Sequence, residues 1–116
     1  MVHGAIDMKE VMVMTHMIPI ETVFRISNDT VLNRKCKWEI MTKGYSRIPV
    51  YRGSNRDNLC GIFMVKKLIG LEEEDLPLSE SDVQLRMPIV CHPQTLILDL
   101  LGKFREGKSH MAFVTE

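Results

Sequence analysis

The sequence predicts an α+β fold built from a duplicated β-α-β-β-α unit, with the second copy incomplete. Two observations carry that reading. Thr30-Val31-Leu32 returns 65 residues later as Thr95-Leu96-Ile97. Gly44-Tyr45-Ser46-Arg47-Ile48-Pro49-Val50 returns 63 residues later as Gly107-Lys108-Ser109-His110-Met111-Ala112-Phe113. Each copy reads strand, helix, Gly-x-Ser-basic turn, strand. The spacing exceeds the roughly 20–50 residues of solenoid repeats, so the pattern is a duplicated domain and not an array. By the same offset a partner for Gly61 to Ile69 would begin near residue ~124, so the second copy is expected to lack its last strand and helix. The boundaries expected are 8–71 for the first motif, 72–82 for an acidic linker and 83–116 for the second motif.

Taken in order, Met8 to Met14 suits a short helix, and the residues before Pro19 should be extended, because proline disfavours the α region just ahead of it. Glu21 to Ile26 reads as a strand. Ser27-Asn28-Asp29-Thr30 offers candidate N-caps, since short polar side chains accept the free N–H groups of a first turn. From Val31 the apolar Leu32, Cys36, Ile40 and Met41 recur at helical spacing up to Gly44, a residue that tolerates the left-handed stop past a helix end. Ile48 to Tyr51 is the next strand, with Pro49 suited to its first residues or to an edge. Arg52 to Asn58 is a polar turn, and Leu59 to Val65 returns as a hairpin partner. A short helix follows from Lys66. The run Glu72-Glu73-Glu74-Asp75 lies in the linker, as a solvated connector or, more sharply read, a cation attractor. Ile89 to Cys91 is a strand. Ile97, Leu100, Leu101 and Phe104 mark a second helix ending at Gly107, and Met111 to Thr115 a final strand.

Composition narrows the function. Fifteen basic residues balance fifteen acidic ones, whereas a nucleic-acid binder shows a basic excess or stripe, so that partner class is disfavoured. No run approaches the roughly 18 apolar residues of a membrane span, so the chain is expected to be soluble. Cys36, Cys60 and Cys91 are odd in number and lack CxxC spacing, which points to a reducing compartment and to core packing. Cys91-His92, with His3, His16 and His110, has no recurring metal-ligand spacing, so no metal site is expected. No Ser/His/Asp or Cys/His set suggests a nucleophile with a positioned base, so the chain is not expected to be an enzyme.

The stretch with chemical promise runs from Lys43 to Tyr51. A helix, a tight turn at Gly44 and a strand would present Ser46 and Arg47 together, and arginine's five donors in a rigid fork suit an anion. Arg47 is equally readable as a surface arginine capping the helix.

A tandem of such units with Gly44-Tyr45-Ser46-Arg47-Ile48-Pro49-Val50-Tyr51 in the first resembles a cystathionine-β-synthase (CBS) domain pair, the Bateman module. The match is with the cyclin M (CNNM)/CorC magnesium-transport family. Val13-Met14-Thr15, Asn58 to Leu68, and Gly107 to Val114 add to the resemblance, and the four blocks occur in the family's order. The resemblance implies a regulatory module on the cytosolic face of a membrane, attached to a membrane domain of a longer protein and dimerising through its CBS helices. It also implies ATP or another adenine nucleotide, with Mg²⁺ held through the phosphates, in the cleft between the two halves. Carried over by position, Thr15 would meet the phosphate or ribose end. Tyr45, Ser46, Ile48 and Pro49 would line the nucleoside, and Arg47 would pair with phosphate. The family's ribose pattern, Gly-x-x-Thr/Ser-x-x-Asp, is altered here to Gly61, Met64 and Lys67. Methionine donates nothing to a ribose hydroxyl and lysine accepts nothing from one. In the second half the same threonine and aspartate would fall after Glu116. These departures leave a structural, dimerising module that binds no nucleotide as the alternative.

Overall fold

A parallel strand pair joined by a helix occurs twice. The computed structural model describes residues 10–71, 76–107 and 110–115. By packing, one unit is Ile20–Met87, and the other combines the described residues of Met1–Pro19 and Pro88–Glu116. The sequence division at 8–71, 72–82 and 83–116 follows chain order, whereas the packed units do not.

The Ile20–Met87 unit contains β1 (Ile26–Ser27), α1 (Arg34–Lys43), β2 (Arg47–Arg52) and β3 (Asn55–Met64). The sheet order is β1-β2-β3, with β1 parallel to β2 and β2 antiparallel to β3. Parallel neighbours cannot be joined by a hairpin, so α1 is the crossover between β1 and β2. Ile26, Leu32, Ile40, Ile48, Val50, Phe63, Leu68 and Leu78 form its core.

Several local expectations are corrected here. Of the expected Glu21–Ile26 stretch only Ile26 is strand, paired in β1 with Ser27, and Ile20–Thr22 is a 3₁₀ turn. The carbonyl of Ile20 accepts both the Val23 N–H at 3.1 Å and the Arg25 guanidinium at 3.0 Å, which closes this segment on itself. The cap of α1 is Asn33, whose Oδ1 accepts the Cys36 N–H at 2.9 Å. Ser27 and Asn28 are engaged elsewhere: Ser27 Oγ donates to the Gly53 carbonyl at 2.7 Å, and Gly53 N–H donates to Asn28 Oδ1 at 2.9 Å. Leu32 is buried ahead of the helix, Ile40 is buried within it, and Met41 is exposed. The polar turn from Arg52 to Asn58 shrinks to Gly53-Ser54, because β3 begins at Asn55 and Gly53 takes φ 56°. Pro49 sits in the middle strand, yet β1 pairs only Val50 and Tyr51, so its missing donor costs no bond to β1. The short helix after β3 is a 3₁₀ turn, Val65–Leu68.

The described residues that follow the acidic run are built into this unit. Glu72 to Asp75 lie outside the described residues. Leu78 is in the core, and its N–H donates to the Thr30 carbonyl at 2.8 Å. Arg86 and Ile62 exchange two backbone hydrogen bonds of 2.9 Å, extending the sheet beyond β3.

The second unit contains β4 (Ile89–Cys91), α2 (Ile97–Arg105) and β5 (Ala112–Val114), with β4 and β5 parallel. Val13, Cys91 and Leu100 form its core, with Ile89, Ile97, Phe104, Ala112 and Val114 packed against them. The expected helix over Met8 to Met14 is a 3₁₀ turn at Val13–Thr15, and residues 8 and 9 lie outside the described residues. Two of its N–H groups are spent on the entry to α2: Val13 N–H donates to Thr95 O at 2.8 Å and Met14 N–H to Pro93 O at 3.0 Å. In return Ile97 N–H donates to Val11 O at 2.8 Å, which serves α2 where Leu96 supplies no side-chain cap.

The duplication therefore extends to a segment that precedes each strand. The 3₁₀ turns Val13–Thr15 and Leu78–Glu80 stand 65 residues apart, as do the bridges Met12 to Leu96 and Pro77 to Val31. Each such segment pairs with the helix entry of the copy to which it does not belong by chain order.

Candidate nucleotide-binding turn

Gly44 takes φ 76° and ψ 10°, ends α1, and donates its N–H to Met41 O at 3.3 Å. Only glycine holds that left-handed conformation without a Cβ penalty. The reversal sends Tyr45 and Ser46 outward before Arg47 opens β2. The Ser46 carbonyl accepts the Val65 N–H at 3.0 Å, which ties the turn to the end of β3.

Tyr45 is 53% exposed, and its ring stacks on Phe24 with centroids 6.1 Å apart and planes 19° off parallel. Lys43 Nζ lies 5.4 Å from the centre of the same Phe24 ring. Ser46 is exposed and Arg47 half-buried. Ile48 is wholly buried in the core, so only its backbone is left for a ligand. Pro49 is buried on the other face of the strand, since alternate residues point to opposite faces. That face carries Arg47 opposite Met64 and Pro49 opposite Ile62. Thr15 belongs to the second unit, where it is exposed and donates its N–H to Met12 O at 3.2 Å. The structure thus brings Tyr45, Ser46 and Arg47 together as one exposed turn.

Lys43 was legible as the start of this stretch, but Phe24 was not legible as part of the turn. Phe24 lies in a segment whose apolar run reads as strand, and an aromatic pair between residues so far apart in the chain leaves no periodic signal. Among the positions of the ribose pattern, Gly61 has a packing role. A Cβ there would stand 2.9 Å from Leu85 Cβ and 3.3 Å from the Arg86 carbonyl. Met64 is buried and Lys67 exposed.

The cysteines are packing residues. Burial pushes the Cys36 thiol pKa up, with Glu39 adding to the shift. Burial also raises that of Cys91, partly offset by Lys103. His92 Nδ1 accepts the Gln94 N–H at 3.1 Å within its own turn. Among the described residues no group of three His, Cys, Asp or Glu side chains could hold a metal ion, and no helix is long and apolar enough to cross a membrane.

No protein-family model matches the chain. It is 35% identical over 116 residues to Protein MAM3 of Saccharomyces cerevisiae, covering 99% of the chain and 16% of MAM3. It is 33% identical over 121 residues to Metal transporter cnnm-1 of Caenorhabditis elegans, covering 96% of the chain and 14% of the relative. A DUF21 domain-containing protein of Arabidopsis thaliana is 37% identical over 113 residues, covering 96% and 26% respectively. Among solved structures, the CBS domain of the bacterial CNNM/CorC family Mg²⁺ transporter in complex with ATP superposes with a TM-score of 0.76 at 28% identity, covering 93% of this chain and 75% of that one. The same bacterial domain in another structure gives 0.77 at 27% identity, covering 93% and 65%.

The chain has the fold of a CBS domain, and its relatives and structural neighbours are CNNM/CorC-type proteins.

This CBS domain spans about a quarter or less of the length of the curated relatives it matches, 14 to 26% of the three named. Its α+β architecture is the one the resemblance implies, and the two left-handed glycines, Gly44 at φ 76° and Gly107 at φ 78°, mark equivalent helix ends in the two copies. Lys108 and Ser109 of the second turn lie outside the described residues.

Proposed function

We propose that this CBS domain is the regulatory module of a Mg²⁺ transporter, on the cytosolic face of its membrane domain, and that it binds an adenine nucleotide at the Gly44–Arg47 turn. One observation carries the reading: a half-exposed aromatic ring, a hydroxyl and a guanidinium follow one another on a turn held at both ends. A bacterial relative's CBS domain solved in complex with ATP supports the choice of ligand. Tyr45 offers a face to the base, Ser46 a hydroxyl, and Arg47 a fork of donors to phosphate. Pro49 and the backbone of Ile48 would border the nucleoside. Mg²⁺ would enter on the phosphates, since no protein cluster among the described residues suits it. Nucleotide binding would then bias the membrane domain through the module's homodimer.

The test is calorimetric titration with ATP, with and without Mg²⁺, on this chain and on the longer protein that carries it. Binding stronger than about 100 μM, roughly −5.5 kcal/mol, supports the reading. No binding in either form overturns it.

A second reading is a dimerising module without a nucleotide. It is favoured by Met64 and Lys67, which stand where a ribose would need a hydroxyl and a carboxylate. Trp38 and Met41, 68% and 61% exposed on α1, supply the apolar helix surface that either version of the dimer would use. A monomer by light scattering across a wide concentration range removes the dimer from both readings.

A further inference from the structure

Phe24 touches the residues on both sides of the left-handed Gly44. Lys43, the last residue of α1, lays its ammonium 5.4 Å from the centre of the Phe24 ring, and Tyr45 stacks on that ring with centroids 6.1 Å apart and planes 19° off parallel. Phe24 is itself half-buried and packed against the core of the Ile20–Met87 unit. One aromatic side chain, anchored in the core, thus grips both flanks of the turn, while the turn's backbone is tied through Gly44 N–H to Met41 O and Val65 N–H to Ser46 O.

We infer that Phe24 is a positioning residue for the nucleotide site, fixing the plane of the Tyr45 ring so that its exposed side meets a nucleobase. This rests on the nucleotide reading of the Gly44–Arg47 turn. A tyrosine half in solvent beside a glycine would otherwise sample several rotamers, and a ligand that stacks on it would have to order it first. An offset, near-parallel neighbour removes that freedom in advance, because aromatic pairs prefer this arrangement. Lys43 adds to the effect by holding the same ring from the helix side, where a cation over an aromatic face is attracted to its quadrupole. The ligand class that profits is a planar base carrying an anionic tail, with the ring on Tyr45 and the anion at Arg47.

The experiment compares the unaltered chain, Phe24→Leu and Phe24→Tyr by calorimetric titration with MgATP at several salt concentrations, with a thermal melt of each. Phe24→Leu keeps apolar bulk but loses the ring, so MgATP binding should weaken roughly three- to tenfold. The weakening should be the same at every salt concentration, because phosphate contacts, which salt screens, are left in place. Phe24→Tyr restores the ring and should bind as the unaltered chain does. If Phe24→Leu does not fold, Phe24→Met replaces it with the same expectation. Equal affinity of Phe24→Leu and the unaltered chain overturns the inference while the nucleotide reading stands. A changed salt dependence also overturns it, since the whole turn would then have moved. Failure of the unaltered chain to bind MgATP removes the nucleotide reading, and this inference with it.

Discussion

Arg47 stands directly opposite Met64 across the ladder between β2 and β3. Residues so paired point to the same face of the sheet, so the guanidinium that would take a phosphate has a buried thioether for its neighbour. Arg47 has no salt-bridge partner among the described residues. Its charge is therefore free for a ligand, and little of the fold's stability should depend on it. Arg47→Leu is expected to weaken MgATP binding tenfold or more, since hydrogen bonds to charged groups contribute roughly 1.5–3 kcal/mol each. Its melting temperature should stay close to that of the unaltered chain. Calorimetric titration and a thermal melt of the same sample check both halves.

Met64→Thr puts a hydroxyl where the family's ribose pattern has one. The expected gain in MgATP affinity is about fivefold, for one added hydrogen bond of ~1 kcal/mol. The shorter side chain should cost about 1–3 kcal/mol in stability, because Met64 is buried. Affinity by calorimetry and stability by urea denaturation should thus move in opposite directions.

The glycines separate two kinds of cost. Gly44→Ala meets nothing within 4 Å, so only the left-handed φ of 76° is penalised, about 1–2 kcal/mol. Gly61→Ala has no such φ but places its Cβ 2.9 Å from Leu85 Cβ and 3.3 Å from the Arg86 carbonyl, so the segment carrying Arg86 must give way. Overpacking of this kind costs about 1–3 kcal/mol. Hydrogen exchange tells them apart: Gly61→Ala should expose the Ile62 and Arg86 amides, whereas Gly44→Ala should leave both protected.

Asn33→Ala should cost about 1 kcal/mol by removing the acceptor for the Cys36 N–H. Alanine in place of Ser27 or Asn28 should leave α1 unaffected and loosen the turn at Gly53 instead. Amide exchange at Cys36 and at Gly53 reads the two effects separately.

The thiols give a pH dependence of definite sign. Burial raises the pKa of Cys36 and of Cys91 in the folded chain, so the native state holds these protons more tightly than the unfolded state. Their contribution to stability is fully present below the unfolded thiol value of about 8.5 and is lost as pH rises through the folded values. Urea midpoints from pH 7 to about 10 should therefore fall at the alkaline end. Serine at position 36 or 91 should flatten that fall.

The turn and the duplication were legible because their signals are local. Gly44 and Gly107 announce left-handed stops, Ile48 to Tyr51 and Leu59 to Met64 pair as an apolar hairpin, and the blocks recur in register. What was missed has its cause in backbone or distant contacts. The start of α1 depends on which of several polar residues is free to cap it, and Ser27 and Asn28 are claimed by Gly53. Ile20–Thr22 curls because one carbonyl accepts two donors, a preference without a residue-type signature. The pairing of Val11 to Met14 with Pro93 to Ile97 runs through main-chain atoms, so its side chains do not reveal it. At the site, Tyr45, Ser46 and Arg47 were readable from the motif. The burial of Ile48 and the grip of Phe24 required the fold.

The crossed segments make the two copies inseparable parts. Leu78 fills the core around Phe63, and Val13 fills the core around Leu100, each arriving from outside the stretch it completes. A protease nick between positions 71 and 76 would leave two pieces that each carry a component of the other's interior, so they should stay together until denatured. Exchange of one copy for a homologue's would import the wrong plug for each socket. Such a duplication, once its segments have crossed, can change only as a pair, and a substitution at Leu78 or Val13 must be answered in the neighbouring copy.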